Sequence, residues 1–279
     1  MDDFAARAPA LESWFWKVYA GPLAFFVDFI VRREVGEAEV RVSLWVDGSG
    51  RVERTTSQTW AATQSEVTIG SCQLRPTGSV GAVDDISWDL RWDRGDQRMD
   101  THPGWFGPVR FADLDVTCRP DGLLSGSVNV SGQLFAIDRA HVATYHYWGR
   151  RLPDSWCWIS ASDFEDAPGL RVEAAVASSR LWGRGRLPLG VGYLWWTDGA
   201  RSKFTLSSVT GLIRHRRDGD SVSIDAVRIN GRRHRIRASA PPGTFNHLGE
   251  GIRQTLLAEL EFDGHRAVPG RVGLEFRGR

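Results

Sequence analysis

The feature that most constrains this chain is the alternation of apolar and polar residues over short runs, each closed by Gly, Pro, Asp or Asn. A period of two puts successive side chains on opposite faces of an extended strand, and a helix of 3.6 residues per turn cannot satisfy it. Leu23–Arg32, Glu39–Val46, Glu66–Leu74, Ile86–Trp92, Leu124–Val130, Leu170–Ala177, Gly190–Trp196, Val222–Ile229 and Arg271–Phe276 all read this way. Hairpin signals separate such runs: Asp47-Gly48-Ser49-Gly50, Pro120-Asp121-Gly122, Asp198-Gly199, Asp218-Gly219-Asp220, Asn230-Gly231 and Asp263-Gly264. The best helical candidates, near Ala5–Glu12 and Gly249–Gln254, do not hold their period for three turns. An all-β, antiparallel protein is expected.

With 279 residues the chain exceeds what one eight-stranded barrel uses, so two β units in tandem are expected. Pro153–Gly169 has no clear period and reads as their connection, giving units over residues 1–155 and 156–279. Charge changes in the same region: residues 1–166 carry 16 basic and 24 acidic side chains (16 − 24 = −8), and residues 167–279 carry 19 and 10 (19 − 10 = +9). The net charge is only +1, so no global field draws the chain to nucleic acid or an anionic membrane. The basic stretch Arg228, Arg232, Arg233, His234, Arg235 and Arg237 alternates with Ile229 and Ile236 and lacks stacking aromatics, as expected of a solvated hairpin face. No nucleic-acid partner is expected.

Cys72, Cys118 and Cys157 are odd in number and far apart, so they read as small core residues. The acidic N-terminus lacks the apolar stretch of a signal peptide and no run is long enough to span a bilayer, which points to a cytoplasmic protein without stable membrane insertion. There is no nucleophile elbow, phosphate-binding glycine loop, zinc-protease helix motif or dinucleotide fingerprint. The seven histidines are scattered without metal-ligand spacing. No cofactor and no metal are expected, and nothing in the sequence sets an oligomeric state.

The 13 Trp against 4 Tyr carry more information, because they recur on strand faces. Trp14 and Trp16 share a face, as do Trp156 and Trp158; Trp88, Leu90 and Trp92 share another, with Asp89 and Arg91 opposite. Such residues either fill a double-barrel core or wall a rigid apolar pocket, and their clustering favours the pocket. The densest segment, Tyr145–Trp158, holds three Trp, two Tyr, His146, Asp154 and two Arg. His146 and Trp148 share one strand face there. A histidine beside tryptophan in a half-dry pocket suits proton transfer near neutral pH. The candidate catalytic residues are therefore His146, Tyr145, Asp89 and Asp154. Trp148, Trp156, Trp158, Trp88 and Trp16 are the candidate substrate-binding residues, with Asp28 as a buried acid between Phe26 and Ile30.

Two segments carry a family resemblance. Ile86-Ser87-Trp88-Asp89-Leu90-Arg91-Trp92 and His146-x-Trp148-Gly149 followed by Trp156-x-Trp158 are similar to motifs of the lipocalin-like double β-barrel proteins. That group includes carotenoid 1,2-hydratase (hydroxyneurosporene synthase), tocopherol cyclase-like proteins and natural-product Diels–Alderases. The resemblance implies two tandem lipocalin-like units with a cavity at or near their junction. It also implies cofactor-free cyclisation or hydration of a hydrophobic polyene, isoprenoid or polyketide. In the hydratases an acid downstream of the His-x-Trp protonates an alkene; here the acids after Trp158 are Asp163, Glu165, Asp166 and Glu173, and none fits that pattern. Cyclisation is therefore the leading expectation, with hydration and simple carriage of an apolar molecule as alternatives.

Overall fold

The computed structural model describes residues 6, 7, 9–93, 95–100, 114–150, 152–178, 191–198, 202–206 and 211–278. The chain divides into two compact units, Met1–Asp47 with Arg51–Leu152, and Gly48–Gly50 with Pro153–Arg279. Described residues form strands, turns and loops only.

Unit 1 begins with β1 (Leu11–Ala20), β2 (Leu23–Arg32), β3 (Glu37–Val46), β4 (Ser49–Ser57), β5 (Trp60–Ala62) and β6 (Val67–Ile69). It continues with β7 (Cys72–Arg75), β8 (Gly78–Val83), β9 (Ile86–Trp92), β10 (Met99–Asp100), β11 (Leu114–Val130) and β12 (Gln133–Gly149). These make one antiparallel sheet in the order β4-β3-β2-β1-β12-β11-β9-β8-β7-β6-β5, with β10 beside β11. The sheet curls around a core that includes Trp14, Trp16, Phe25, Phe29, Val42, Trp88 and Trp92. Trp60 on the last strand donates its indole N–H to Gly36 O at the β2–β3 turn (3.4 Å), tying the two ends of the sheet.

Unit 2 contains β13 (Ser155–Ala161), β14 (Leu170–Ser178), β15 (Val191–Asp198), β16 (Ser202–Leu206), β17 (Gly211–Asp218) and β18 (Ser221–Arg228). After these come β19 (Arg233–Ser239), β20 (Asn246–Gly249), β21 (Ile252–Thr255), β22 (Glu259–Phe262), β23 (His265–Arg266) and β24 (Val272–Arg277). They form two sheets, β16-β15-β14-β13-β24-β21-β20 and β17-β18-β19-β22-β23. The sheets share an apolar core built from residues such as Ile159, Val172, Leu194, Ile224, Ile236 and Leu274.

Several expectations change against this frame. Ser155–Ala161 is a central strand rather than a connection, because Cys157, Ile159 and Ala161 turn into the unit 2 core. Glu66–Leu74 is two strands, broken where Gly70 takes φ +57°, a left-handed turn conformation that suits glycine. Gly249–Gln254 is a strand end, a tight turn and a second strand; Leu11 and Glu12 open β1. Pro120-Asp121-Gly122 lies inside β11, at a register shift, and makes no hairpin. Its Asp121 instead accepts the backbone N–H groups of Asp96 and Gln97 at 3.0 and 2.9 Å, pinning a segment 24 and 25 residues earlier in the chain.

All three cysteines are free and buried. Burial pushes the Cys157 thiol up to about 12 and raises that of Cys72. The native protein is expected to leave all three thiols unreacted with a disulfide-exchange reagent near neutral pH, and to release them on denaturation. Rapid native labelling would contradict this packing.

Candidate active site

The site follows from alternation on β1. Glu12, Trp14, Trp16 and Val18 point to the unit 1 interior, while Ser13, Phe15, Lys17 and Tyr19 point the other way. Strand β12 pairs antiparallel with β1 in a register that puts His146 opposite Trp14 and Trp148 opposite Glu12. The interior face of β1 thus brings an acid, an indole and an imidazole together.

Glu12 is fully buried, and its Oε1 lies 2.9 Å from His146 Nε2. The Arg33 guanidinium donates to Glu12 Oε2 at 2.9 Å, and the Arg7 backbone N–H donates to Oε1 at 2.6 Å. The two oxygens of this buried carboxylate are thus held by an arginine, a backbone N–H and the imidazole. The His146 ring, 4% exposed, stacks on Trp14 of β1 at 4.8 Å with 10° between planes and meets Trp148, on the same face of its own strand, at 4.8 Å. Arg7 covers the Trp148 ring at 5.0 Å, and Arg33 covers Trp60 at 5.3 Å. A cavity of about 40 Å³ is lined by His146, Trp14, Trp16, Trp92, Thr117 and Thr144 among others.

The opposite face of β1–β3 is also buried, and among Phe26, Ile30 and Trp45 it carries a group of charged and polar side chains. Ser13 donates its hydroxyl to Asp28, and Arg41 is the cross-strand partner of Asp28. Arg41 also bonds Glu39 through Nε at 3.0 Å and Nη2 at 2.9 Å, while Arg32 reaches the second oxygen of Glu39 at 3.1 Å. Burial alone would raise the Glu39 carboxyl, but Arg41 and Arg32 hold it below its ordinary 4.5. Burial likewise works to lower Arg41, and Asp28 and Glu39 keep it above its usual value. Tyr145 lies on this face, stacked on Phe15 at 4.4 Å.

This ion cluster has a pH signature. A carboxylate held below 4.5 stabilises the fold fully above that value, and the contribution is lost as pH falls through the lowered one. Glu39→Gln is therefore expected to flatten the loss of stability on acidification. Denaturant midpoints of both proteins at about pH 6 and about pH 3 would show it; equal losses in the two would mean the cluster contributes nothing.

Unit 2 repeats the two-faced pattern, with Trp158 and Ser160 of β13 on one face and Glu173 of β14 opposite Ser160. Ser160 donates to Glu173, Trp156 Nε1 donates to Glu275 Oε1 at 2.7 Å, and Gln254 donates to Glu275 Oε2 at 2.9 Å. His234 is buried rather than part of a solvated basic face, with Nδ1 at 2.6 Å from Asp263 Oδ2 and its ring 4.2 Å from Trp196. A larger groove of about 640 Å³ over β18, β19 and β22 is lined by Arg216, Arg237, Glu259 and Glu261 with no buried titratable side chain among them.

Of the residues expected from sequence, His146, Trp148 and Trp16 gather in the unit 1 interior, and Tyr145 and Asp28 on its other face. Trp88 is a core residue, its indole N–H bound to Ser79 Oγ at 2.8 Å. Asp89 is exposed on the opposite face of β9, away from the unit 1 interior, and Asp154 is an exposed residue of unit 2 ahead of β13. Trp156 and Trp158 belong to unit 2. Among the described residues the unit 1 indoles pack on one another, Trp16 against Trp92 at 5.7 Å, and about 40 Å³ lies beside Trp16. Glu12, Arg33 and Arg41 were not anticipated. The signal for Glu12 was present as an acid in the inward series Glu12-x-Trp14-x-Trp16.

Among the described residues, no group of three or more His, Cys, Asp or Glu is placed to hold a metal ion. No helix among them is long and apolar enough to cross a membrane.

Comparison with known proteins defines the class. The chain is an all-β protein of lipocalin-like architecture. An AttH-like protein of Nitrosomonas europaea superimposes with a TM-score of 0.71 at 14% identity, covering 99% of this chain and 95% of that one. Kievitone hydratase from Nectria haematococca gives 0.67 at 10% identity, covering 99% and 90%. The sequence pattern of tocopherol cyclase-like proteins matches residues 84–190, a span that includes both segments carrying the resemblance drawn above. No curated protein matches the chain significantly.

Proposed function

We propose that the protein is a cofactor-free enzyme that adds a proton to a carbon–carbon double bond of an apolar substrate, with hydration as the outcome. The observation that carries this reading is the buried Glu12–His146 pair beside a small cavity. In the reaction, imidazolium His146 delivers its proton to the alkene, water captures the cation, and the captured water returns a proton to the histidine. Glu12 is the positioning carboxylate: it fixes the ring through Nε2, and Arg33 in turn holds Glu12 in place. The faces of Trp14 and Trp148 stabilise the developing cation by about 0.5–2 kcal/mol per ring.

The name of the hydratase neighbour supports this outcome, and the buried Glu12–His146 pair removes the main reason for preferring a proton-free cyclisation. The tocopherol cyclase-like match at residues 84–190 supports a second outcome of the same step, in which an internal nucleophile closes a ring. The substrate is a hydrophobic polyene or isoprenoid whose double bond approaches His146. Three reduced thiols suit work in the cytoplasm.

Incubating the purified protein with kievitone, geranylgeraniol and lycopene, and following products by mass spectrometry against buffer, tests the reading. Products heavier by one water are expected; a product of unchanged mass and new retention would indicate cyclisation. Recovery of bound, unchanged compound alone would make the protein a carrier.

A further inference from the structure

We infer that the cavity beside Trp16 is a built water site, and that the water held there is the second substrate. The inference rests on the proton-transfer reading of His146 and adds where the nucleophile sits. Trp16 is 1% exposed, and its indole N–H finds no acceptor among the described residues. Its neighbours on the same interior face are satisfied: Trp88 donates to Ser79 Oγ at 2.8 Å and Trp92 to Pro76 O at 3.1 Å. A buried donor without an acceptor is costly, so natural cores rarely keep one unless something else takes the bond.

The cavity bounds what that partner is. Its volume of about 40 Å³ is enough for a water and small for a ring. Its lining residues can supply the two to four polar partners that such a water needs: Trp16, Thr144 and His146, Thr117 as an acceptor since its hydroxyl donates to His146 O at 3.4 Å, and Arg75 and Arg119 as further donors. With one lone pair taken by Trp16, the oxygen keeps the other for a cation formed next to His146. The water oxygen bonds to the cationic carbon, one of its hydrogens passes to His146, and the sum is addition of H and OH with no change of redox state. A substrate oxygen accepting from Trp16 is the competing occupant, and the measurements separate the two.

The first measurement needs no substrate. In ¹⁵N-labelled protein alone, the Trp16 indole proton, assigned by its loss in Trp16→Phe, should show a cross-relaxation peak to a long-lived water. Its absence overturns the site, whether or not the protein turns over any alkene. The second uses whichever of the three alkenes above is consumed, in deuterium oxide. Trp16→Phe and Thr144→Val are each expected to lower hydrated product about ten-fold while deuterium exchange into recovered alkene stays within about two-fold, because protonation survives and capture does not. Equal loss of both rates in both variants would assign Trp16 a packing role and overturn the inference.

Discussion

His146→Asn should lower turnover by about 10²–10⁴-fold, the range for removal of a general acid–base group, while the protein still folds. The asparagine amide keeps a donor for the Glu12 carboxylate, which lies 2.9 Å from the native ring, and fits between Trp14 and Trp148. What it cannot do is exchange a proton near neutral pH. The measurement pairs initial rates of product formation with a thermal melt. A folded variant that retains most of its activity would remove His146 from the chemistry and return the site to a structural role.

The second large effect is on stability. Glu12→Ala leaves the Arg33 guanidinium and the buried imidazole without their shared carboxylate. Breaking a buried ion pair by deleting one partner costs about 3–5 kcal/mol, because the remaining charge stays desolvated. For a unit of this size that corresponds to a fall in Tm on the order of 10 °C. Glu12→Gln, which keeps an acceptor for the Arg7 backbone N–H, should cost less. The double variant Glu12→Ala/His146→Ala should be less destabilised than the sum of the single changes, since the two residues share one bond. Strict additivity in denaturant midpoints would show that the pair is not coupled.

Much of this architecture is legible in the sequence because period-two alternation is a local signal. The expected runs Leu23–Arg32 and Ile86–Trp92 match β2 and β9 to the residue, and the burial of Trp88, Leu90 and Trp92 follows from alternation alone. The same rule places Asp89 on the solvent side, which is why proximity to Trp88 in sequence was a poor guide to shared chemistry. His146 was legible through its company in the Tyr145–Trp158 segment. Its carboxylate was not, because the partner lies 134 residues earlier and meets it only through the β1–β12 pairing. Pro120-Asp121-Gly122 misled for the opposite reason: its turn chemistry is real, but β12 continues across it, so the ladder overrides the local preference. The tryptophans were half legible, since clustering locates them without telling packed indoles from pocket walls.

The central claim is that a carbon–carbon double bond is protonated by His146, and solvent isotope placement tests it most directly. In deuterium oxide, the product formed from kievitone, geranylgeraniol or lycopene should carry one solvent deuterium on carbon, and that label should vanish together with turnover in His146→Asn. A product formed with no carbon-bound deuterium, or at an equal rate in His146→Asn, would contradict it.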